Sequence, residues 1–324
     1  MMDKATEKAL DLGTLVALAE AAFSGAAGRG KLPKKHILTA QDGSDYKVRL
    51  YPDARQAQER ARLLQEISDH ILMTPILGYH GRGLIFAYPA VETIDPLDLS
   101  SYTAIGGFLA KLNGLGLGRN PDHQADQQFD LWVRGIARAG FISEHLAPAI
   151  QTTYQRLKPR GLRACIDYLD PMPHNFCRWN GKFCVLDEKH FHVAYPGVGL
   201  VKPRLVMTPA HWSAVQQGYQ QKATASSDAS QAAFCEIYYL VSALHFYSQL
   251  MVDGMVDVPA NPRLRRYRQL LMERVLDSSR ARNIERIRFW IRYPGAAYQV
   301  ARSRGLGKVR RFLGLGGEGK MNSV

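Results

Sequence analysis

With 324 residues, 46% of them apolar, the chain can bury a large core and is not disordered as a whole. It has no uninterrupted apolar run of 18 or more residues. The stretch nearest to one, Ile237 to Val252, carries His245, Ser248 and Gln249 and reads as a buried helix rather than a membrane span. The net charge of +13 is concentrated between Arg263 and Arg311, where fourteen arginines and Lys308 face only Glu273, Asp277 and Glu285, a local excess of +12.

The first residues, Met-Met-Asp-Lys-Ala-Thr-Glu-Lys, lack the basic start and apolar block of a signal peptide, so a cytoplasmic setting is expected. Cys165, Cys177, Cys184 and Cys235 form no Cys-x-x-Cys pair and are expected to be reduced, buried thiols.

In chain order, residues 5 to 24 read as an amphipathic helix through Leu10, Leu15, Leu18 and Ala22. Gly25-Ala-Ala-Gly28-Arg-Gly30 ends it. The glycines are read either as a phosphate-cradling loop, with Gly28 and Gly30 as contacts, or as a helix stop and linker. His36 to Ala40 and Tyr46 to Tyr51 alternate as strands, and Lys47 and Arg49 share one face of the second. Ala54 to His70 predicts a helix carrying Glu59 and Glu66. Gly83 to Pro89 predicts a strand, and Ile105 to Asn113 a helix. Residues 129 to 158 continue helically, as do 231 to 252 and 263 to 290. Tyr195-Pro-Gly197-Val-Gly199 breaks the chain, and 222 to 230 is a polar loop.

The chemistry is concentrated at Asp170-Pro-Met-Pro-His-Asn175 and at Asp187, which closes the apolar run Cys184-Val-Leu. An Asp, an Asn five residues on and a second Asp a dozen later is the polar spacing of a kinase site. The first can take a hydroxyl proton, and the other two offer hard oxygens to magnesium. Asn180-Gly181 between two apolar runs predicts a hairpin that brings Asn175 and Asp187 together at its open end. Asp167 is a second carboxylate nearby, but only Asp170 has the five-residue step to Asn175. A rival reading makes His190, His192 and Asp187 a zinc cluster. A serine-hydrolase reading has no Gly-x-Ser-x-Gly to rest on.

These residues resemble the loop of the aminoglycoside phosphotransferase and choline kinase group, roughly Gly-Asp-Leu-His-Pro-Gly-Asn with Ile-Asp after the next hairpin. Asp170, Pro173, Asn175 and Asp187 match. Tyr168 stands two residues before Asp170, where the group has His, Met172 replaces a His and His174 a Gly. Met73-Thr-Pro75-Ile-Leu-Gly78 and Ile105-Gly-Gly-Phe-Leu-Ala-Lys-Leu112-Asn113 resemble two further family segments, with Asn113 where His is usual. The resemblance covers about residues 25 to 250. It implies an α+β, two-lobed, protein-kinase-like fold, with a small β-rich lobe over 1–90 and a larger, mainly helical lobe over 91–262; the charge distribution adds a basic helical arm over 263–324.

The resemblance also implies the cofactors ATP and Mg2+. Asp170 would be the base, Asn175 and Asp187 the metal ligands, and Lys47 or Arg49 the phosphate clamp, paired with Glu59 or, in reserve, Glu66. The backbone around Tyr88 would meet adenine. The acceptor would be a small-molecule, sugar or glycolipid hydroxyl, with lipopolysaccharide core sugar kinases as a possible relative type. The basic arm suits an anionic membrane surface at the inner membrane face and, less well, nucleic acid. The alternative is a catalytically inactive pseudokinase that docks on a membrane or nucleic acid.

Overall fold

In this computed structural model the described residues are 12–24, 34–39, 43–115, 121–223, 229–253 and 258–300. The glycine loop with Gly28 and Gly30 lies outside them, as does the end of the basic stretch beyond residue 300. The chain divides into two compact units. The first comprises 1–128, 157–239 and 252–254, and the second 129–156, 240–251 and 255–324.

The first unit opens with helix α1 (Leu12–Ser24), strands β1 (Lys34–Thr39) and β2 (Asp45–Leu50), helix α2 (Ala54–Ser68), and strands β3 (Ile76–His80) and β4 (Gly83–Ala87). The four strands form one antiparallel sheet in the order β1-β2-β4-β3. Alternation along β2 sorts its side chains. Val48 and Leu50, with Ile85 of β4, form a small core with Leu15, Val16 and Ala19 of α1. On the other face Leu84 and Phe86 join the main core with Ala57, Ala61, Leu64 and Ile67 of α2. Asp53 caps α2, its carboxylate accepting from the Gln56 amide at 2.8 Å.

A short strand β5 (Glu92–Thr93) leads to α3 (Leu99–Asn113). Strands β6 (Cys165–Tyr168), β7 (Phe176–Trp179), β8 (Lys182–Val185) and β9 (Phe191–Ala194) follow in the same unit, with β5-β7-β8 and β6-β9 as two small antiparallel sheets. The turn between β7 and β8 is the Asn180-Gly181 pair, both at positive φ (50° and 72°), as its sequence predicts. Helices α6 (Val201–Val206) and α7 (Pro209–Gln220) come after β9, and α7 lies along α3. Their contact depends on glycine. A Cβ on Gly106 of α3 would run into the Val215 carbonyl of α7, and one on Gly218 into the Thr103 carbonyl of α3.

The helical expectation over 129 to 158 resolves into two helices, α4 (Pro121–Arg138) and α5 (Leu146–Leu157), broken at Gly140, whose φ is 74°. Helix α8 (Ala229–Val252) follows. The expected helix over 263 to 290 is likewise two, α9 (Pro262–Val275) and α10 (Ser279–Arg292). In the second unit Phe129 stacks on Tyr154 with ring centroids 3.9 Å apart, and Trp132 meets His245 at 6.2 Å. Arg268 of α9 is buried and donates to the carbonyls of Phe141 and Glu285, both at 2.6 Å. Helices α9 and α10 are thus packed into this unit. Among the described residues no helix is long and apolar enough to cross a membrane.

Candidate active site

The hairpin sets the geometry of the site. Phe176 pairs with Val185, and the Leu186 amide donates to the Asn175 carbonyl at 2.9 Å. Asn175 and Asp187 therefore flank the open end of β7 and β8, as the Asn-Gly turn implies. The Asn175 side-chain nitrogen donates to the Asp170 carbonyl at 2.8 Å, which directs its oxygen the other way and ties the loop of Asp170 to the hairpin. Asp170, Asn175 and Asp187 are gathered in this way at one end of the small sheet.

Asp170 is held by Lys202, which no sequence motif singles out, and by His190, which the sequence offers only as a zinc ligand. Lys202 of α6 donates to its Oδ1, and His190 Nε2 lies 3.6 Å from its Oδ2 and 3.6 Å from Oδ2 of Asp187. Burial would raise the Asp170 carboxyl, but the Lys202 ammonium, by charge and hydrogen bond, outweighs it and holds the group below its ordinary value. Burial holds the His190 imidazole well below its usual range, so it is neutral near pH 7. Asp187 is also lowered, since Arg49 and Lys189 overcome its desolvation. Arg49 Nη2 reaches Asp187 Oδ1 at 3.0 Å, and Lys189 Nζ reaches Oδ2 at 3.0 Å.

Lys47 and Arg49 point to the inner face together, and the expectation of their partner needs correction. Glu59 sits on the exposed side of α2, 61% exposed and 3.8 Å from Arg55. Glu66 is exposed as well. The carboxylate that holds both cations is Glu188, directly after Asp187. Its Oε2 accepts from Lys47 Nζ and its Oε1 from Arg49 Nε, each at 2.5 Å, and it is 1% exposed. Lys47 also donates to the Leu186 carbonyl at 3.0 Å and lies 4.4 Å from the centre of the Phe86 ring. Burial alone would push the Glu188 carboxyl up, but Lys47 and Arg49 hold it down at about 2.

Helix α2 contributes a cation to this site. Arg60 donates to the backbone carbonyls of Glu188 and, at 2.6 Å, of Phe191. The helix-to-strand ion pair expected from the resemblance is thus inverted. The acid comes from the loop of the second aspartate, and the helix grips that loop by its main chain.

Asp167 is excluded as the base by its surroundings. It is fully buried, and its two oxygens accept from the amides of Tyr168 (2.7 Å) and Gly199 (2.8 Å). Tyr168, in place of the usual His, packs edge-on to Phe108 and Phe191 and donates to the Asp187 carbonyl at 2.6 Å. Asn113 donates to the Ile166 carbonyl and accepts from the Gly197 amide and the Tyr219 hydroxyl.

Tyr88 lies just beyond β4. Its amide donates to the Asp45 carbonyl at 2.8 Å, and the Ala87 amide to Pro75 at 2.9 Å, so these two donors are already engaged by the sheet. Tyr88 lines a cavity with Leu12, Tyr46 and Leu77, and Tyr46 packs on the α1 side of the sheet. Among the described residues no group of three or more His, Cys, Asp or Glu could hold a metal ion, which removes the support for a zinc cluster at His190 and His192.

No protein-family model and no curated protein sequence matches the chain. Solved structures do. A choline kinase, LicA, from Streptococcus pneumoniae superimposes with a TM-score of 0.56 at 12% identity, over 81% of this chain and 99% of that one. A type I macrolide 2'-phosphotransferase gives 0.52 at 14% identity, over 82% and 97%. A putative fructosamine-3-kinase from Thermobifida fusca gives 0.51 at 16% identity, over 77% and 91%. The chain therefore has the α+β kinase-like fold of the aminoglycoside phosphotransferase and choline kinase group, with a small antiparallel sheet and a larger helical part.

Proposed function

We propose that this protein is an ATP- and magnesium-dependent phosphotransferase that moves the γ-phosphoryl group to a hydroxyl of a small-molecule, sugar or glycolipid acceptor. The observation that carries this reading is the gathering of Asp170, Asn175 and Asp187 at the open end of one hairpin, beside the buried cations of β2. The neighbours of the fold include a choline kinase and a macrolide phosphotransferase, and LicA has also been solved in complex with AMP (TM-score 0.53, 12% identity).

The residues suit the cofactors. A carboxylate and an amide oxygen from Asp187 and Asn175 are the hard donors magnesium takes. Magnesium bound there would neutralise phosphate charge. Both cations are clamped by Glu188, but only Arg49 also reaches the metal-site carboxylate, through Nη2, while Lys47 is held by Glu188 and the Leu186 carbonyl. Arg49 is therefore assigned to the phosphates and Lys47 to holding the loop.

Asp170 orients the acceptor hydroxyl and takes its proton as the oxygen bonds to the γ-phosphorus and the bond to the β-phosphate oxygen breaks, leaving ADP. Lys202 keeps Asp170 ionised and adds positive charge beside the transferring group. Catalysis of this kind is mostly positioning and charge neutralisation. The net charge of +13 favours an anionic acceptor, such as a phosphorylated glycolipid at the inner membrane face, over a cationic one.

The test is ADP release in the presence of a panel of hydroxyl acceptors. The reading expects magnesium-dependent turnover that Asp170→Asn lowers on the order of 10²- to 10⁴-fold while the variant still binds nucleotide. Turnover unchanged in that variant would sink the assignment. Nucleotide binding without turnover on any acceptor would favour the pseudokinase.

A further inference from the structure

Helix α10 presents two contrasting faces. Its inward face is fixed by Glu285 and Phe289, which are 5% and 3% exposed. Glu285 accepts from the Ser143 hydroxyl at 2.8 Å and pairs with Arg288 at 2.9 Å, and the Arg268 guanidinium lies 4.7 Å from the centre of the Phe289 ring. At 100° per residue this leaves Ile284, Ile287 and Ile291 on the opposite side. They are 43%, 56% and 74% exposed. A helix that only covers a core carries polar residues there.

The stripe is bordered by exposed arginines, Arg280, Arg286, Arg288 and Arg292. Over residues 263–300 ten arginines face three acids, and of these Arg268 and Glu285 are buried, leaving nine arginines against two acids.

We propose that α10 is an interfacial anchor, laying its isoleucine stripe into the surface of an anionic bilayer with the flanking arginines at the lipid phosphates. The combination of a narrow apolar stripe and an arginine border is what such a surface recognises. A single-stranded nucleic acid would stack its bases on exposed rings, but Phe289 is buried and the exposed side chains of the stripe are aliphatic, for which a duplex has no use either. A second copy of this face would bring like charges together. The inference deepens the membrane part of the proposed function and rests on that part alone, because vesicle binding is read without nucleotide.

The experiment is flotation of the full chain with vesicles of neutral phosphatidylcholine, with and without 30% phosphatidylserine, at low and physiological salt. Binding is expected only with the anionic lipid, weakening as salt rises. The triple variant Ile284→Ser, Ile287→Ser, Ile291→Ser should bind at least tenfold more weakly while its melting temperature is kept. Arg280→Gln with Arg286→Gln should bind more weakly and with less salt dependence. No binding to anionic vesicles at low salt, or wild-type binding by the triple variant, overturns the proposal. So does a dimer abolished by the same isoleucine changes, or RNA binding that competes with vesicles. If vesicle binding fails while magnesium-dependent ADP release persists, this inference falls alone. If ADP release fails while vesicle binding persists, the phosphotransferase reading falls alone.

Discussion

Glu188 is the residue on which the most charge depends. It is fully buried between Lys47 and Arg49, and its carboxyl is held at about 2 against an ordinary 4.5. A depressed folded value stabilises the protein above the unfolded value, and that contribution is lost as pH falls through the folded one. Glu188 therefore contributes fully above 4.5 and progressively less down to about 2. Glu188→Gln should cost about 3–5 kcal/mol at neutral pH, because it leaves two buried cations without their acid. The loss should shrink in acid, as read by urea unfolding at several pH values. Glu59→Gln, on the exposed face, should change stability by less than ~0.5 kcal/mol.

Asp167 acts in the opposite direction. Its carboxyl is pushed up to about 7 by burial, so its contribution declines as pH rises from 3.8 to about 7. The helical pattern of α2 holds the clue to which of its side chains reaches the site. Ala57, Ala61, Leu64 and Ile67 mark the buried face, which places Arg60 beside it and Glu59 away from it. Glu188 and Lys202 had no such signal, and His190 was visible only as one of a histidine pair beside Asp187. Lys47 and Glu188 are 141 residues apart in sequence, and no local pattern pairs them.

At the scale of elements, the hairpin was readable because Asn180-Gly181 is a local device, and its register carries Asn175 to Asp187. The break between α4 and α5 was not read, because it depends on the single left-handed Gly140. The α3–α7 contact was also hidden, since a glycine within a helix acquires meaning only when the second helix is in place. Gly106→Ala and Gly218→Ala each drive a Cβ into backbone that cannot move aside cheaply. Each should cost about 1–3 kcal/mol in a chemical denaturation experiment, and more if the helices separate. Gly181→Ala meets open space and should cost only its left-handed backbone conformation.

At the scale of the whole molecule, the first unit carries every catalytic and metal-site residue assigned here, and the second carries the exposed basic helix α10. Composition revealed the charge asymmetry. It could not reveal that Phe289 faces inward and three isoleucines outward, because that depends on how α10 is packed.

The nucleotide site is probed by the melting temperature of the full chain with ATP, with and without magnesium, beside Asp187→Asn. ATP at a hundredfold over its dissociation constant should add ~2.7 kcal/mol, seen as a rise in melting temperature that requires magnesium and disappears in Asp187→Asn. No rise in the wild type, or an equal rise without magnesium and in the variant, would contradict it.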